Sequence, residues 1–422
     1  MLGAGFDAPA DALAVARALS GRDAVALVWA NGGKVAYVAC DPVAESRALD
    51  PEPTLALRAR PGADFPRWFG LVPYEARRTL ERRAGDARPE PSLALPVWRR
   101  YDAVVEISNE IRVFGVTSQA KGELEEKLAR GLRAPLSCRP AVLRLRERPE
   151  RGSDHAARVE RALDFIARGD VYEVNLARRF ELAVEGSLFD VFAALTAEGR
   201  PPYSAVFAWP ELGVVAASPE LCLSLDPGGV ARTKPIKGTR PRHPEPARDR
   251  ELARELDADP KERAELAMVI DVERSDLGRV ARPGSVRLVE APSVESHPTV
   301  HHRVATVEAT LRADVSREEL FLAMLPSGSV TGAPKIRAME LIAELEPVRR
   351  GLYTGAFGVI RQDGSVELGM AIRVLTVQGS RGEYFSGGGI VADSNPAREV
   401  EETLWKASAL VRATGERVEN WA

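Results

Sequence analysis

Short strand-like runs recur along the chain after about residue 170, and no other feature of the sequence restricts the fold as strongly. Each run is rich in β-branched or aromatic residues and is bounded by glycine, proline or polar residues, as is typical of strands. Other segments have apolar residues at helical spacing. We therefore expect the last two thirds of the chain to form one body of helices and many strands. The predicted strands are VYEVNLARRFELAV, SAVFAW, GVVAAS, LCLSL, SVRLVE, VATVEATL, YTGAFGVI, MAIRVLTV and EYFSGGGIV, and the predicted helices are one from residue 153 or 154 to before Gly169, then 260–277, 316–324, 334–345 and 396–413.

The part of the chain before these runs has a different pattern. Residues 1 to about 132 mix strand-like runs such as AVALVWA and KVAYVAC with a charged helical segment, which predicts an α+β subdomain. Residues 133–152 are rich in arginine and proline and predict a connection that contains a short strand. We therefore predict an N-terminal subdomain of residues 1–150 and a second unit of residues 151–422.

Composition excludes several classes of protein. The net charge of −3 disfavours non-specific binding to nucleic acid, which requires a basic excess. No run of about eighteen apolar residues predicts a membrane span, and the first residues lack the pattern of a secretory leader, so we expect a cytoplasmic protein without a membrane partner. Cys40, Cys138 and Cys222 are far apart and indicate neither a disulfide framework nor a zinc site.

The predicted helix 260–277 carries acidic residues near its start. Asp259 is suited to cap it, Pro260 to begin it, and Glu262 to complete a capping box. Glu265 lies one turn further along, where the apolar face begins, so its carboxylate is expected at the edge of the core. An acid at such a position usually has a partner.

The predicted helix 396–413 places Glu399, Glu402 and Lys406 within roughly 60° of one another. One interpretation is an exposed ion pair between Glu402 and Lys406. The other is that Glu402 and Glu265, one from each helix, hold Mg²⁺, because this ion favours one or two carboxylates completed by water and ligand oxygens. The residues alone leave both interpretations open.

Glycine-rich segments and one arginine indicate an anionic ligand. The loop PSGSVTGAPK runs into a helix and is either an anion site or a tight turn. Gly387, Gly388 and Gly389 follow a strand, where a missing Cβ would let a carboxylate approach backbone N–H groups. Arg373 lies in an otherwise apolar predicted strand, and a buried charge there requires a partner. Together these features indicate a small substrate with two carboxylates.

Four other side chains have open interpretations from the residues alone. Tyr353 by itself is more typical of a core position than of a ligand contact. His301 and His302 are adjacent on a predicted strand and must face opposite sides, so at most one of them faces a site. Lys237, in ARTKPIKGTRPRH, could be a solvated charge, part of a nucleic-acid patch or a nucleophile, and the net charge already disfavours the patch.

Eight segments in order resemble the signature segments of the chorismate-utilising enzymes. That family includes component I of anthranilate synthase, component I of aminodeoxychorismate synthase, isochorismate synthases and salicylate synthases. The resemblance runs from about residue 150 to 415 and implies an α+β fold, in which large β-sheets form a sandwich core with helices packed outside. The segments are PIKGTRPR, DPKERAE, IDVERSDLGR, VHHRV, GSVTGAPKIRAMELI, RRGLYTGAFG, AIRVLT and GGGIVADSNPAREVEETLWKA.

Position 237 distinguishes branches of this family. Aminodeoxychorismate synthases have PIKGT there, as this chain does, whereas anthranilate synthases typically have PIAGT. The resemblance implies that Lys237 attacks C2 of chorismate as the 4-hydroxyl leaves, that Glu220 is the acid, and that ammonia then attacks C4. The product would be 4-amino-4-deoxychorismate, for p-aminobenzoate and folate; the alternative is anthranilate formation. A nucleophilic lysine must be neutral, so we expect a lowered pKa, with Lys234 and Arg240 as candidate neighbours.

The resemblance also implies the remaining site residues. His302 matches a catalytic histidine near the substrate ring. The residues expected to contact the substrate are Ser329, Tyr353, Arg373, Gly387, Gly388, Gly389 and Lys406. The residues expected to bind the cofactor Mg²⁺ are Glu262, Glu265, Glu399 and Glu402.

Two departures and one absence complete the comparison. Isochorismate and salicylate synthases have a water-activating lysine where this chain has Glu173, so a water nucleophile is disfavoured. Ammonia-using synthases commonly have glutamine there, which leaves the role of Glu173 open. Ser275 stands where the family often has asparagine. The chain has no glutaminase nucleophile in a G-x-C-x-G setting, so the resemblance implies a separate glutamine amidotransferase subunit as partner.

Overall fold

The structure is a computed structural model. Cys40 and Cys222 are buried and form no disulfide within the described residues, and Cys138 lies outside these residues. No helix in this part of the chain combines the length and the apolar character that a membrane span requires. The described residues are 8–20, 24–52, 65–79, 88, 90–134, 141–146 and 150–421.

Strands dominate the described residues, as the sequence predicts. Neighbouring strands pair antiparallel throughout, and the longest pairing joins β9 to β23 along ten residues of each strand. In chain order the strands are β1 Val25–Ala30, β2 Val35–Ala39, β3 Ala44–Ser46, β4 Pro66–Val72, β5 Val97–Arg100, β6 Ala103–Ile107, β7 Ile111–Gly115, β8 Val142–Leu145, β9 Glu173–Glu185, β10 Tyr203–Ala208, β11 Gly213–Ser218, β12 Leu221–Leu225, β13 Val230–Lys234, β14 Ile236–Pro241, β15 Arg287–Leu288, β16 Ser293–Ser296, β17 Val300–Val304, β18 Val307–Thr310, β19 Gly332–Ala333, β20 Ala356–Arg361, β21 Val366–Met370, β22 Val374–Gln378 and β23 Arg381–Ile390.

These strands form two large sheets and one small sheet. Sheet 1 has the order β19-β9-β23-β22-β11-β10-β1-β2-β6-β7, and β8 also pairs with β9. Sheet 2 has the order β15-β18-β13-β12-β21-β20-β4-β5-β3, and the small sheet has the order β14-β17-β16. Both large sheets contain strands from either side of residue 150. The boundary at residue 150 therefore does not separate one sheet from another, and a division of the chain into two domains there stays a prediction.

An apolar layer fills the space between the two large sheets. Val28 and Phe207 contribute to it from sheet 1, and Phe69 and Val359 contribute from sheet 2. Each is at most 2% exposed, and burial of side chains of this size stabilises the fold by roughly 1.5–3 kcal/mol apiece. The α+β sandwich expected from the resemblance is confirmed.

Helices cover the outer faces of the sandwich. Helices α1, α2, α4 and α10 pack on sheet 1, α6 and α7 pack on sheet 2, and α3 and α8 lie near β9. Asp259 accepts hydrogen bonds at the start of α6, as the sequence predicts. Ser316 and Glu319 form a capping box at the start of α7. The helices are α1 Ala8–Leu19, α2 Ser118–Arg133, α3 Gly152–Ala167, α4 Leu188–Leu195, α5 Pro246–Ala258, α6 Pro260–Gly278, α7 Arg317–Met324, α8 Lys335–Leu345, α9 Pro396–Lys406 and α10 Ser408–Thr414.

Several predicted elements are interrupted in the structure. The helix predicted over 396–413 is two helices, because the chain leaves helical geometry at Ala407. The predicted strand VATVEATL is split between β17 and β18, and MAIRVLTV is split between β21 and β22. Only Arg287–Leu288 of SVRLVE is a strand. The helix predicted to start at residue 153 or 154 begins at Gly152, and its N-cap residue is Arg151.

Candidate active site

A cavity of about 350 Å³ opens where β14, α6, β23 and α9 meet. Its walls are largely polar. Thirteen of the fourteen predicted site residues line it: Glu220, Lys237, Glu262, Glu265, His302, Ser329, Tyr353, Arg373, Gly387, Gly389, Glu399, Glu402 and Lys406. The fourteenth, Gly388, lies on β23 between two of the lining glycines.

Lys237 lies on β14 with its side chain 12% exposed. Its Nζ donates a hydrogen bond of 2.6 Å to Oε1 of Glu173, which is almost fully buried on β9. Burial alone lowers the pKa of Lys237, but the carboxylates of Glu173, Glu265 and Glu220 raise it, and the net direction is upward. The lysine is therefore held as an ammonium group in an ion pair.

This result corrects the expectation of a lowered pKa for Lys237. Neither Lys234 nor Arg240, the cations expected to lower this pKa, is among the largest influences on it. Lys234 pairs with Glu295 at 2.7 Å, and Arg240 pairs with Asp259 at 2.9 Å. The sequence offered one signal for the true partner, namely the glutamate at position 173 where the family commonly has glutamine.

Glu220 lies at the end of β11, just before β12, and is 5% exposed. Oγ of Ser329 donates a 2.7 Å hydrogen bond to its Oε1. Burial raises the pKa of Glu220 to about 7, so the carboxyl is largely protonated at mildly acid pH. A carboxyl in this state can act as a general acid. Ser329 was expected to contact substrate, and in the structure its hydroxyl contacts the acid.

The two adjacent histidines face opposite sides, as predicted. His302 lines the cavity, and its Nδ1 shares a 2.9 Å hydrogen bond with the hydroxyl of Thr239. Burial lowers the pKa of His302 to about 3, so the ring is neutral at physiological pH. Its buried Nε2 has no hydrogen-bond partner in the part of the chain that the structure describes. His301 is bound to Ser296 and Asp249 on the other side of the strand.

Arg373 does not lie within a strand, which corrects the expectation. It links β21 to β22 with a φ of 51°, in the left-handed region that side chains other than glycine rarely adopt. Its guanidinium faces the cavity and forms no ion pair with any of the described residues. Burial lowers the pKa of Arg373. A cation in this position can bind a carboxylate of a ligand.

Aromatic rings close the same wall of the cavity. Tyr353 stacks on Phe385 with 5.3 Å between ring centroids, and the guanidinium of Arg350 lies 5.5 Å from the Tyr353 ring centroid. Burial raises the pKa of both Tyr353 and Tyr384, so both hydroxyls stay protonated and can donate hydrogen bonds. Tyr353 therefore belongs to both the core and the cavity wall.

The three predicted glycines lie inside β23, and this corrects the expectation that they follow a strand. They pair in order with Ala177, Leu176 and Asn175 on β9. A Cβ on Gly389 would collide with Oε1 of Glu173 and would lie 3.3 Å from Nζ of Lys237. The glycine is therefore what allows the ion pair to lie directly over the strand.

Two of the predicted metal ligands come from α6. Glu262 does not complete a capping box, as had been expected, but accepts a hydrogen bond of 3.2 Å from Arg240 and lines the cavity. Glu265 is half-buried and lies 3.8 Å from Lys261, its nearest cation. Burial raises the pKa of Glu265.

The other two predicted ligands come from α9. Glu402 pairs with Lys406 at 2.7 Å, and Lys406 also donates to the carbonyl of Gly387 at 3.0 Å. The ion pair of the first interpretation is present, and Glu402 also lines the cavity, while Mg²⁺ binding by Glu402 and Glu265 stays a prediction. Burial raises the pKa of Glu399, whereas Lys406 lowers that of Glu402 against the effect of burial.

The donor set fits Mg²⁺, although within the described residues no three His, Cys, Asp or Glu side chains form a ready metal cluster. A hard cation of this kind needs only one or two protein carboxylates, with water and ligand oxygens completing its shell. Oε1 of Glu402 and Oε2 of Glu399 lie within 3.2 Å of the position that a Cβ on Gly388 would occupy. The missing side chain at Gly388 thus leaves space beside two carboxylates.

Sequence reasoning missed one buried acid next to the cavity. Glu273 lies on α6 and is fully buried. It accepts a hydrogen bond of 2.5 Å from Ser327, which lies next to the loop of Ser329. The signal in the sequence was a glutamate between Val269 and Leu277 on the apolar face of the helix, where an acid is unusual.

Comparisons with known proteins agree with this geometry. The solved structure of anthranilate synthase component I from Streptococcus pneumoniae superposes with a TM-score of 0.77 at 26% identity, covering 90% of this chain and 92% of that one. Anthranilate synthase component 1 of Streptomyces coelicolor is 37% identical over 370 residues, which cover 82% of this chain and 72% of the relative.

A second relative has a different name and a similar sequence identity to this chain. Aminodeoxychorismate synthase component 1 of Salmonella typhimurium is 34% identical over 350 residues, which cover 83% of this chain and 74% of the relative. The relatives thus agree on the family but not on the reaction. The family model described as chorismate binding enzyme matches residues 16–412, and the chain therefore belongs to the family of chorismate binding enzymes.

Proposed function

We propose that this protein converts chorismate and ammonia into 4-amino-4-deoxychorismate, with Lys237 as nucleophile and Mg²⁺ as cofactor. The observation that carries the proposal is the position of Lys237. Its Nζ faces the same cavity as the buried acid Glu220, and its ion-pair partner Glu173 is an oxygen base within hydrogen-bond distance. A nucleophile, a base and an acid are thus available to one small substrate.

The first half of the reaction moves two protons. Lys237 transfers a proton to Oε1 of Glu173 and becomes a neutral amine. The amine forms a bond to C2 of chorismate, both ring double bonds shift toward C4, and the C4–O bond breaks with its electron pair on oxygen. Glu220 gives its proton to that oxygen, so the hydroxyl leaves as water and Glu220 remains as a carboxylate.

The second half releases the lysine. Ammonia forms a bond to C4, both ring double bonds shift back, and the C2–N bond breaks with its electron pair on Nζ. The product carries the new C4–N bond as an ammonium group. Lys237 recovers its proton from Glu173, whereas Glu220 still lacks the proton that it gave to the leaving hydroxyl.

The other cavity residues hold and orient the substrate. Arg373 has no carboxylate partner of its own among the described residues, and we assign it to a substrate carboxylate. The neutral ring of His302 can donate or accept a hydrogen bond near the substrate ring without adding charge. When bound, Mg²⁺ would hold the other carboxylate and stabilise its negative charge. The residues that would hold the ion are Glu262, Glu265, Glu399 and Glu402.

The ammonia would come from a partner. Both relatives described above are named as component 1, which supports a second component. We assign that role to a glutamine amidotransferase subunit, because hydrolysis of a glutamine amide releases ammonia beside the acceptor. Free ammonium should replace the partner in vitro.

Anthranilate formation is the second candidate, and one observation favours it. Relatives named as anthranilate synthase component 1 are as similar to this chain as those named as aminodeoxychorismate synthase. Formation of anthranilate would additionally require loss of pyruvate and aromatisation of the ring. Lys237 argues against it, because anthranilate synthases typically have alanine at the position that matches this lysine.

The test is to incubate the purified chain with chorismate, Mg²⁺ and an ammonium salt and to identify the products by mass spectrometry. We expect 4-amino-4-deoxychorismate from the wild type and at least a 100-fold lower rate from Lys237→Ala. Lys234→Ala is the matched control, since Lys234 is three residues away, paired with Glu295 and outside the cavity lining. Anthranilate as product, or full activity of Lys237→Ala, would contradict the proposal.

A further inference from the structure

A chain of four buried polar groups leads from the cavity into the core behind Glu220. Glu220 accepts a 2.7 Å hydrogen bond from Ser329 Oγ, Ser329 Oγ lies 3.3 Å from Ser327 Oγ, and Ser327 Oγ lies 2.5 Å from Oε1 of Glu273. Each of the four residues is at most 7% exposed, and Glu273 is fully buried. Two carboxyls are therefore joined by two hydroxyls, with no break longer than a hydrogen bond.

Glu273, at the far end of this series of hydrogen bonds, has an unusual environment. Lys335, from α8, faces Glu273 but forms its own ion pair at 2.7 Å with Asp276 on the same helix as Glu273. The other ionisable groups that face Glu273 are Glu220 and Cys222, at and beside β12. Oε2 of Glu273 is buried and has no hydrogen-bond partner among the described residues.

These surroundings favour the neutral form of Glu273. A buried carboxylate oxygen without a donor is costly when the group is charged. Burial, and then the neighbouring Asp276, raise the pKa of Glu273 to about 7. The core thus holds a carboxyl that is protonated in about half of the molecules at neutral pH and that lies outside the cavity lining.

We propose that Glu273 keeps a reserve proton for the acid Glu220 and returns it through the hydroxyls of Ser327 and Ser329 after each loss of the substrate hydroxyl. The inference rests on the proposed function, in which Glu220 gives its proton to that hydroxyl. Glu273 touches no substrate and is a positioning residue that acts through Glu220.

The transfer balances, with one proton moving along each of three hydrogen bonds. After the substrate hydroxyl leaves, Glu220 is a carboxylate and accepts the Ser329 hydroxyl proton. Ser329 takes the proton of Ser327, and Ser327 takes the proton of Glu273. Glu220 is then an acid again, and Glu273 is a carboxylate until the reverse shift or solvent restores its proton.

The test compares chorismate consumption by the wild type and by Glu273→Gln, with Mg²⁺ and ammonium, from pH 6 to 9. The amide keeps the shape and an acceptor for Ser327 but holds no transferable proton. We expect kcat to fall at least tenfold, KM for chorismate to change less than twofold, and the solvent deuterium isotope effect on kcat to increase. The fall of kcat at alkaline pH should begin at lower pH, because Glu273 helps to raise the pKa of Glu220.

Two further variants make the result decisive. Glu75→Gln is the matched control, since Glu75 is also a buried carboxyl with one unpartnered oxygen and a pKa raised by burial to about 7, but it lies outside the cavity lining. It should leave kcat and the isotope effect unchanged. Ser327→Ala removes the hydroxyl that links Glu273 to Ser329 but keeps both carboxyls. It should lower kcat as Glu273→Gln does, which also covers the case in which Glu273→Gln fails to fold.

The outcomes separate this inference from the proposed function. A folded Glu273→Gln or Ser327→Ala protein with kcat and isotope effect within twofold of the wild type would overturn the relay alone. Anthranilate as the wild-type product would leave the relay in place, because chorismate consumption is measured whatever the product. A wild type that consumes no chorismate would overturn the proposed function and the relay with it.

Discussion

The ion pair of Lys237 and Glu173 determines the resting state of the proposed nucleophile. Nζ is charged and hydrogen-bonded at 2.6 Å, so it cannot attack until it transfers a proton. Glutamine at position 173, which is common in ammonia-using relatives of this chain, could hold the lysine but could not accept that proton. The pKa of Lys237 therefore depends on the carboxylate of Glu173.

Replacement of Glu173 by glutamine should lower the pKa of Lys237. The carboxylate is the first of the influences that raise this pKa, whereas the burial that lowers it would remain. The rate at which a small amine-reactive reagent labels Lys237, followed by peptide mass spectrometry against pH without Mg²⁺, should therefore have its midpoint at lower pH in Glu173→Gln. Labelling of Lys234 should be equal in both proteins, and an unchanged or higher midpoint for Lys237 would contradict the prediction.

Single residues show what the sequence can and cannot predict about the site. The motifs containing Lys237 and Glu220 were sufficient to place both side chains at one cavity. The direction of the pKa shift was not predictable, since it depends on Glu173, which is 64 residues earlier in the chain. Glu273 was missed for a similar reason, because its partner Ser327 belongs to a loop 54 residues away.

At the scale of elements, β23 is the strand on which the site depends most. Its glycines pair with β9 and present bare backbone to the cavity. The strand lies between the ion pair of Lys237 on one side and the carboxylates of α9 on the other. A side chain here would occupy space that the proposed catalytic groups already use.

Substitution of Gly389 by alanine should therefore abolish most activity and leave the fold in place. The new Cβ would displace Glu173 and with it Lys237, and misplacement of reacting groups by about 1 Å can cost about 100-fold in rate. Overpacking of this kind costs about 1–3 kcal/mol of stability. Gly122→Ala on α2 is the control, since no atom lies within 4 Å of the added Cβ. Steady-state kinetics and thermal unfolding test this, and near-normal kcat in Gly389→Ala would refute it.

Elements with local signals were predicted well, and elements ended by tertiary contacts were not. Asp259 followed by Pro260 marks the start of α6, because a cap and a first-turn proline act within a few residues. The break at Arg373 has no such signal. Apart from Arg373 and Thr376, MAIRVLTV is apolar, and its division follows from β21 and β22 belonging to different sheets.

At the scale of the whole molecule, both sheets are built from distant parts of the chain. Strand β1 pairs with β10, and β4 pairs with β20, so each large sheet crosses the predicted boundary at residue 150. Such pairings join residues that are more than 170 positions apart, for example Val25 with Ala208. No local pattern specifies them, which is why the sequence predicted a sandwich only through the family resemblance.

This topology predicts that residues 151–422 do not fold alone, although they contain every residue that lines the cavity. Without the first 150 residues, β10 and β20 become open edges, and the apolar layer between the sheets loses side chains such as Phe69, Leu71 and Val97. Exposed strand edges and apolar surface favour aggregation over folding. Size-exclusion chromatography and thermal unfolding of the fragment should show aggregates without a cooperative transition. Co-expression with residues 1–150 should restore a soluble complex that consumes chorismate. A monomeric 151–422 fragment that unfolds cooperatively would instead establish the boundary at residue 150 as a true domain boundary.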